Sequence, residues 1–357
     1  MPILPLYGHE ALRRRLRQAV ERGTLPASLL LHGPRGIGKQ RLALWLGQLL
    51  LCTGTGELPC GTCQSCGYAL QLAHPDLRWF FPRPKNDGAE PIPREVLDEY
   101  AEASAERAKE HGLYARPGGT EALYLSVVRG IVQHAGYSPA LSSRKVIVIG
   151  DADRMVPQEA NQEAANAFLK LLEEPLADTT IILTTSESGM LLPTIRSRVA
   201  ALRVAPIAER EVRAWLAQSE VKAALEEALA PKSEDARVDL AAGAPGSLLA
   251  ASAREDAVAA ARAVLDAASA DRATQIKTVF AMGGKGARGA FTDTLDALTV
   301  LLHQRSREAV LHNDPAQAVA ASRAIDAVQE TRLRTGTNVS PQLLGAALMR
   351  RLTRNLA

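Results

Sequence analysis

The segment that most constrains the fold is residues 33–40, which read Gly-Pro-Arg-Gly-Ile-Gly-Lys-Gln. It follows a short apolar run and precedes a helical pattern. Such a loop is typical of phosphate binding, because backbone amides and the helix N-terminus face the phosphate while a lysine adds a full positive charge. The residues predicted to contact a nucleotide are Gly33, Gly36, Gly38, Lys39 and Gln40.

Short β-type runs alternate with helical patterns from Ser28 to Pro206, as expected for a parallel sheet covered by helices. The fold class predicted from this alternation is therefore α/β. The candidate strands are residues 29–32, 77–80, 146–151, 180–185 and 201–205, and the candidate helices between them are 40–51 and 162–174.

Two regions depart from the alternation. Residues 82–120 begin and end with turn-forming residues and are predicted to be a surface insertion. After Pro206 the strand patterns stop and helical patterns follow, with breaks near Pro231 and Gly243. We predict three domains: a nucleotide-fold domain over 1–206, a helical lid over 207–250 and a helical bundle over 251–357.

Two features of the predicted nucleotide site differ from those of a working ATPase. The last position of the phosphate loop normally carries Ser or Thr, whose hydroxyl binds magnesium, and here it is Gln40. A second apolar strand leads to Asp151, which could still assist magnesium binding, but Ala152 stands where an ATPase needs a carboxylate to orient water. Asp153 could be proposed as a substitute base, but its side chain is expected to point away from the nucleotide site. The loop is thus either a structural relic or a nucleotide site without turnover, and efficient hydrolysis is not expected.

Four cysteines lie close together in the sequence, at Cys52, Cys60, Cys63 and Cys66. Four thiolates satisfy a tetrahedral zinc ion with no open position, so the pattern predicts a structural zinc site. The alternative is four free thiols, which seldom cluster at this spacing. His74 follows closely, but four sulfurs already complete the coordination, so we expect His74 to be structural.

The chain has no apolar run typical of a signal peptide or a membrane span, so a cytoplasmic location is expected. Its formal net charge of +3 is too small to identify a partner. A free-standing zinc-containing nucleic-acid binder is one alternative, but the sequence has no obvious basic stripe to support it.

Several segments together resemble the bacterial clamp-loader members of the AAA+ superfamily. They are the phosphate loop, the cysteine-rich insertion after its helix, residues 164–175 (Ala-Ala-Asn-Ala-Phe-Leu-Lys-Leu-Leu-Glu-Glu-Pro) and residues 192–198 (Leu-Pro-Thr-Ile-Arg-Ser-Arg). The resemblance covers about the first 200 residues and, more weakly, residues 323–352, which look like the collar domain of these subunits. It implies an AAA+ nucleotide fold, a helical lid and an oligomerising helical collar.

Within that family, the choice is between the ATP-hydrolysing gamma/tau subunits and the delta'-type subunits of bacterial DNA polymerase III. His74-Pro75-Asp76 and the segment 151–155 resemble delta', and Gly246 stands where ATP-hydrolysing gamma/tau subunits carry a nucleotide-sensing arginine. The resemblance implies a subunit with little or no ATPase of its own. The alternative within the family is an active gamma/tau-type subunit that uses Gln40 and a displaced carboxylate.

The resemblance also assigns a role to Arg198. In the family, the arginine of a Ser-Arg-Cys motif reaches a neighbouring subunit's ATP, where it stabilises charge in phosphoryl transfer. This chain has Ser197-Arg198-Val199, so it keeps the arginine and lacks the cysteine. The alternative is a surface arginine in a salt bridge. The implied partners are gamma/tau and delta subunits, together with a sliding clamp and primed DNA reached through the assembled complex.

Overall fold

The computed structural model describes residues 2–84, 91–113, 121–155, 162–228, 230–282, 288–335 and 339–356. The strands are β1 (Ser28–His32), β2 (Leu77–Phe80), β3 (Lys145–Ile149), β4 (Thr179–Thr185) and β5 (Ala200–Arg203). The helices are α1 (Glu10–Glu21), α2 (Lys39–Leu51), α3 (Gln64–Leu70), α4 (Pro93–Lys109), α5 (Leu125–Ala135), α6 (Gln162–Glu173), α7 (Pro193–Arg196), α8 (Glu209–Leu216), α9 (Ser219–Glu227), α10 (Glu234–Ala241), α11 (Ala251–Ala268), α12 (Arg272–Ala281), α13 (Arg288–Leu311), α14 (Pro315–Arg334) and α15 (Pro341–Leu356).

The five strands form one parallel sheet in the order β2-β3-β4-β1-β5. In its register, Leu30 of β1 lies opposite Leu183 of β4 on one side and Ala201 of β5 on the other. Because all strands run the same way, the residues that follow β1, β3 and β4 meet at the carboxyl edge. Residues that precede β4 and β5 lie at the opposite, amino edge.

Apolar residues make up most of the strands, although β4 also carries four threonines, and helices pack against the sheet. Every residue of β3 and β4 is buried, and in β1 only His32 is partly exposed. Long apolar runs of this kind are typical of parallel strands covered on both faces. The predicted α/β class is confirmed, and the predicted strand limits agree with the observed ones to within two residues.

The predicted surface insertion needs a correction. Part of it, α4, contributes Val96, Leu97 and Tyr100 to the main core, and the Tyr100 hydroxyl donates a hydrogen bond to the Phe81 carbonyl at 2.7 Å. These residues recur at helical spacing, a signal that the flanking Pro and Gly residues outweighed in the sequence. The insertion also includes residues 85–90 and 114–120, which lie outside the described residues.

The chain divides into two compact units, one up to Ala250 and one from Ala251 onward. The first contains the sheet and α1 to α10, and the second is helical, as predicted for the C-terminal region. In the second unit, α13 contributes Leu295, Leu298 and Leu302 to the core, where side chains of α11, α14 and α15 meet them. A separate lid domain over residues 207–250 stays a prediction.

Within the described part of the chain, no helix combines the length and the apolar character needed to cross a membrane.

Candidate functional site: a closed phosphate loop, a cysteine cluster and an edge arginine

Lys39, the first residue of α2, turns its ammonium group back into the phosphate loop. Its Nζ donates hydrogen bonds to the carbonyl oxygens of Gly33 (2.9 Å) and Pro34 (2.8 Å) and to the Ser186 hydroxyl (2.8 Å). Three acceptors match the three protons of an ammonium group. Burial lowers the pKa of Lys39 to about 8, although the nearby Asp151 and Asp153 carboxylates oppose that effect. A phosphate would therefore have to displace contacts that the chain itself supplies.

Gln40 is held by both atoms of its terminal amide. Its Nε2 donates to Oδ2 of Asp151 at 2.9 Å, and its Oε1 accepts from Nε1 of Trp79 at 3.0 Å. Gly150 makes room for this amide, since a Cβ at that position would lie 2.3 Å from Oε1 of Gln40. The carbonyl oxygen is the atom of Gln40 that could bind a cation, and it is already engaged. These residues therefore do not fit the usual magnesium-phosphate arrangement.

The residues after β3 complete this edge of the sheet. Asp151 has a positive φ of 46°, and its backbone N–H donates to the Thr184 hydroxyl at 3.2 Å. Ala152, at the position where the sequence analysis looked for a carboxylate, is buried.

The Asp153 side chain is expected from the sequence to point away from the nucleotide site, but in the structure it points toward the site. It accepts a hydrogen bond from the Thr185 hydroxyl, and its charge acts on Lys39. The expectation was wrong because residues 152–154 form a 3-10 turn, which brings the chain back toward the end of β4. The contact with Thr185 ties the Asp153 carboxylate to the protein.

The loop also contacts the short 3-10 helix Pro245–Ala250. The Gly246 N–H donates to the Gly36 carbonyl at 2.8 Å. Gly36 has a φ of +73°, and a Cβ there would lie 2.2 Å from the backbone nitrogen of Ser247, so another residue would be strained and would clash. The structure thus brings Gly246 to the phosphate loop, where the backbone of Gly246 contacts the backbone of Gly36.

The four cysteine sulfurs form one cluster in which all lie within 4.8 Å of one another. The Sγ of Cys52 is 3.6 Å from that of Cys60 and 3.9 Å from that of Cys63, and the Cys60 and Cys66 sulfurs are 4.0 Å apart. Sulfurs around a tetrahedral ion with metal–sulfur bonds of about 2.3 Å would be about 3.8 Å apart. The donor set and its spacing can therefore hold a metal ion.

His74 lies outside this cluster and is buried in a hydrogen-bond network. Its Nδ1 accepts from the Asp76 N–H at 3.0 Å, and its Nε2 is 3.2 Å from the Ser65 hydroxyl. Burial lowers the pKa of His74, against the effect of the Asp76 charge. The Asp76 carboxylate in turn accepts hydrogen bonds from the backbone N–H groups of residues 140–142, at 2.6 to 2.8 Å. His74 and Asp76 thus fix the start of β2 against the loop before β3.

Arg198 lies between α7 and β5, at the amino edge of the sheet, and its side chain is 29% exposed. Its Nε donates to Oε2 of Glu173 at 3.1 Å, and its Nη1 donates to the Thr194 carbonyl at 3.0 Å and to the Ser197 hydroxyl at 3.4 Å. The phosphate loop of the same chain lies beyond the carboxyl end of β1, at the opposite edge.

Three contacts at these sites were not predicted. The contacts are those of Gln40 with Trp79, of Lys39 with Ser186, and of Arg198 with Glu173. Trp79 and Ser186 follow no motif that identifies them. Glu173 lies in the segment 164–175 that carries the family resemblance, but the sequence does not reveal its partner.

The chain is similar to subunits of bacterial DNA polymerase III. The family described as DNA polymerase III, delta subunit, matches residues 8–208. DNA polymerase III subunit delta' of Pseudomonas aeruginosa is 31% identical over 205 residues, which cover 56% of this chain and 51% of that protein. The corresponding delta' subunit of Escherichia coli is 32% identical over 224 residues, covering 62% of this chain and 53% of that protein.

A gamma/tau subunit of Mycobacterium bovis is 29% identical over 214 residues, covering 60% of this chain and 30% of that protein. The chain spans about half the length of the delta' relatives that it matches.

A parallel sheet whose β1 leads through a glycine-rich loop into α2 defines a P-loop nucleotide fold. Within that class, the chain belongs to the DNA polymerase III delta-subunit family. The predicted relationship to delta'-type subunits is confirmed by the relatives of that name.

The bonds of Gln40 generate a prediction about stability. In Gln40→Glu a carboxylate faces Asp151, so above pH 7 the two charges repel and the free energy of unfolding should fall by about 1–3 kcal/mol. In the folded state this carboxyl would have a raised pKa. The stability that protonation of this carboxyl contributes is therefore present at low pH and lost as pH rises. The difference in unfolding free energy between variant and parent should become smaller as the pH is lowered from 8 to 5. Urea unfolding of variant and parent across this range in magnesium-free buffer measures it.

The matched control for that experiment is Gln133→Glu, which makes the same change at an exposed position of α5. The control should differ little from the parent at any pH in this range. A Gln40→Glu deficit that does not change with pH would contradict the proposed pairing with Asp151.

Proposed function

We propose that the chain is a delta'-type subunit of a bacterial replicative clamp loader, which lends Arg198 to the ATP site of a neighbouring subunit. In this role it supports ATP-dependent loading of a sliding clamp onto primed DNA. Its partners would be gamma/tau and delta subunits, and the helical second unit would serve as its oligomerising collar. The role implies a cytoplasmic location.

The observation that carries the proposal is the closed state of the chain's own phosphate loop. The donors of Lys39 are used within the chain, and the amide of Gln40 joins Trp79 to Asp151. Ala152 offers no base. Each of these features works against magnesium-dependent hydrolysis, and together they support a subunit that assists catalysis elsewhere.

The position of Arg198 supports action in trans. β1 runs from Ser28 to His32, so at about 3.3 Å per residue the two edges of the sheet lie about 13 Å apart along it. Arg198 is at the amino edge and the phosphate loop at the carboxyl edge. An arginine on the far side of the sheet suits a neighbour's nucleotide better than its own.

A gamma/tau-type ATPase is the second candidate, and the gamma/tau relative at 29% identity favours it. This alternative requires magnesium-dependent ATP turnover by the purified chain alone. The closed loop and Ala152 favour the delta'-type role instead.

The cysteine cluster supports a structural zinc ion. Cys52, Cys60, Cys63 and Cys66 would hold it, and four thiolates leave no position for a reacting water. The ion would fix the connection between α2 and α3 and would take no part in phosphoryl transfer.

Arg198→Ala tests the proposed role in trans. In a loader reconstituted from all its subunits, we expect DNA- and clamp-stimulated ATP hydrolysis to fall on the order of 10³-fold at the one site that this arginine serves. The total ATPase rate of the loader should fall to the rate that its other ATP sites contribute. The measurement is steady-state ATPase, with assembly checked by size-exclusion chromatography.

Arg196→Ala is the matched control, because Arg196 is an exposed arginine two residues away, and its one side-chain hydrogen bond among the described residues is to the Ser188 carbonyl at 3.4 Å. It should leave turnover unchanged. Full activity of a correctly assembled Arg198→Ala loader would refute the proposed role.

The zinc assignment predicts about one zinc per purified chain, measured by atomic emission. Cys63→Ser should lose the metal and unfold at a lower temperature, since a structural ion contributes directly to folding. Gln64→Ala changes an exposed neighbour on α3 and should keep both the zinc and the stability. A fully stable chain that lacks zinc after growth in zinc-replete medium would rule the site out.

A further inference from the structure

Arg198 is anchored at two points that belong to different helices. Its Nε bonds the Glu173 carboxylate at the end of α6, and its Nη1 bonds the Thr194 carbonyl in α7 and the Ser197 hydroxyl just beyond it. Within the described residues, Nη2 makes no hydrogen bond. The guanidinium is therefore held through Nε and Nη1, while Nη2 remains available for a ligand outside the chain.

Two anchors fix the orientation of a guanidinium because the group is planar and its five N–H bonds have fixed directions. The Thr194 carbonyl alone would allow the plane to turn about a single contact. Glu173 adds a second contact, to Nε, and its negative charge makes that hydrogen bond charge-assisted. The plane and the direction of Nη2 are thus set before any nucleotide arrives.

From this geometry we infer that Glu173 is the positioning residue for Arg198, and that its carboxylate orients the guanidinium toward the γ-phosphate bound by the neighbouring subunit. The inference rests on the proposed function, because it assumes that Arg198 acts in trans. Glu173 itself touches neither nucleotide nor metal. It raises turnover because a group already in place loses less freedom when the transition state forms.

The pair contributes little to folding. The side chains of Arg198 and Glu173 are 29% and 58% exposed, and exposed ion pairs stabilise proteins only slightly. Removing the Glu173 charge should therefore leave the subunit folded and able to assemble. An effect on turnover without an effect on stability is what separates a positioning role from a structural one.

The test is Glu173→Gln in the fully reconstituted loader. We expect kcat for stimulated ATP hydrolysis at the site served by Arg198 to fall about three- to tenfold, since partial disorder of the arginine costs part of its effect. The KM for ATP should change less, because the finger acts mainly in the transition state. Glu174→Gln removes the same charge at the next residue, which is exposed, and should behave as the parent.

A double substitution separates this inference from the proposal beneath it. If Glu173 acts through Arg198, then Glu173→Gln should have no further effect in the Arg198→Ala background. If Glu173→Gln turns over ATP as fast as the parent, or faster, the positioning role is overturned. The proposed function then still stands, provided that Arg198→Ala lowers turnover. No loss in Arg198→Ala itself would overturn both.

Discussion

The pairing of β1 with β4 on one side and β5 on the other determines where the functional groups of this chain lie. Because the sheet is parallel, the loop after β1, the turn after β3 and Ser186 after β4 all meet at one edge. The segments that precede β4 and β5 carry Glu173 and Arg198 to the other edge. One sheet thus holds the phosphate loop and Arg198 at opposite edges, about 13 Å apart along β1.

At the carboxyl edge, the chain satisfies with its own atoms the groups that a nucleotide would otherwise satisfy. A buried ammonium is unfavourable without hydrogen-bond acceptors, and Lys39 finds them in two carbonyls and a hydroxyl. The amide of Gln40 joins Trp79 and Asp151 at the place where a metal-binding hydroxyl is usual. The loop has the backbone of a phosphate-binding loop, and its polar side chains are hydrogen-bonded within the chain.

The helix α4 supports this arrangement from the side of β2. The guanidinium of Arg107 lies over the rings of Phe81 and Trp79, at 3.3 Å and 4.6 Å from their centres. Cation–π contacts of this kind hold an aromatic ring in place. The same Trp79 donates to Gln40, so a helix from the region predicted as a surface insertion is linked through one side chain to the phosphate loop.

The sequence by itself determined the class of fold, the strand positions, the phosphate loop, the four-cysteine cluster and the loss of Ser/Thr at Gln40, because each is a local pattern of residue types. The tertiary structure decided which side chains hold the functional ones. Trp79 is 39 residues from Gln40, Thr185 is 32 from Asp153, and Glu173 is 25 from Arg198. Such pairs form only when separate strands and helices pack, and their spacing in the chain leaves no periodic signal from which the contact could be read.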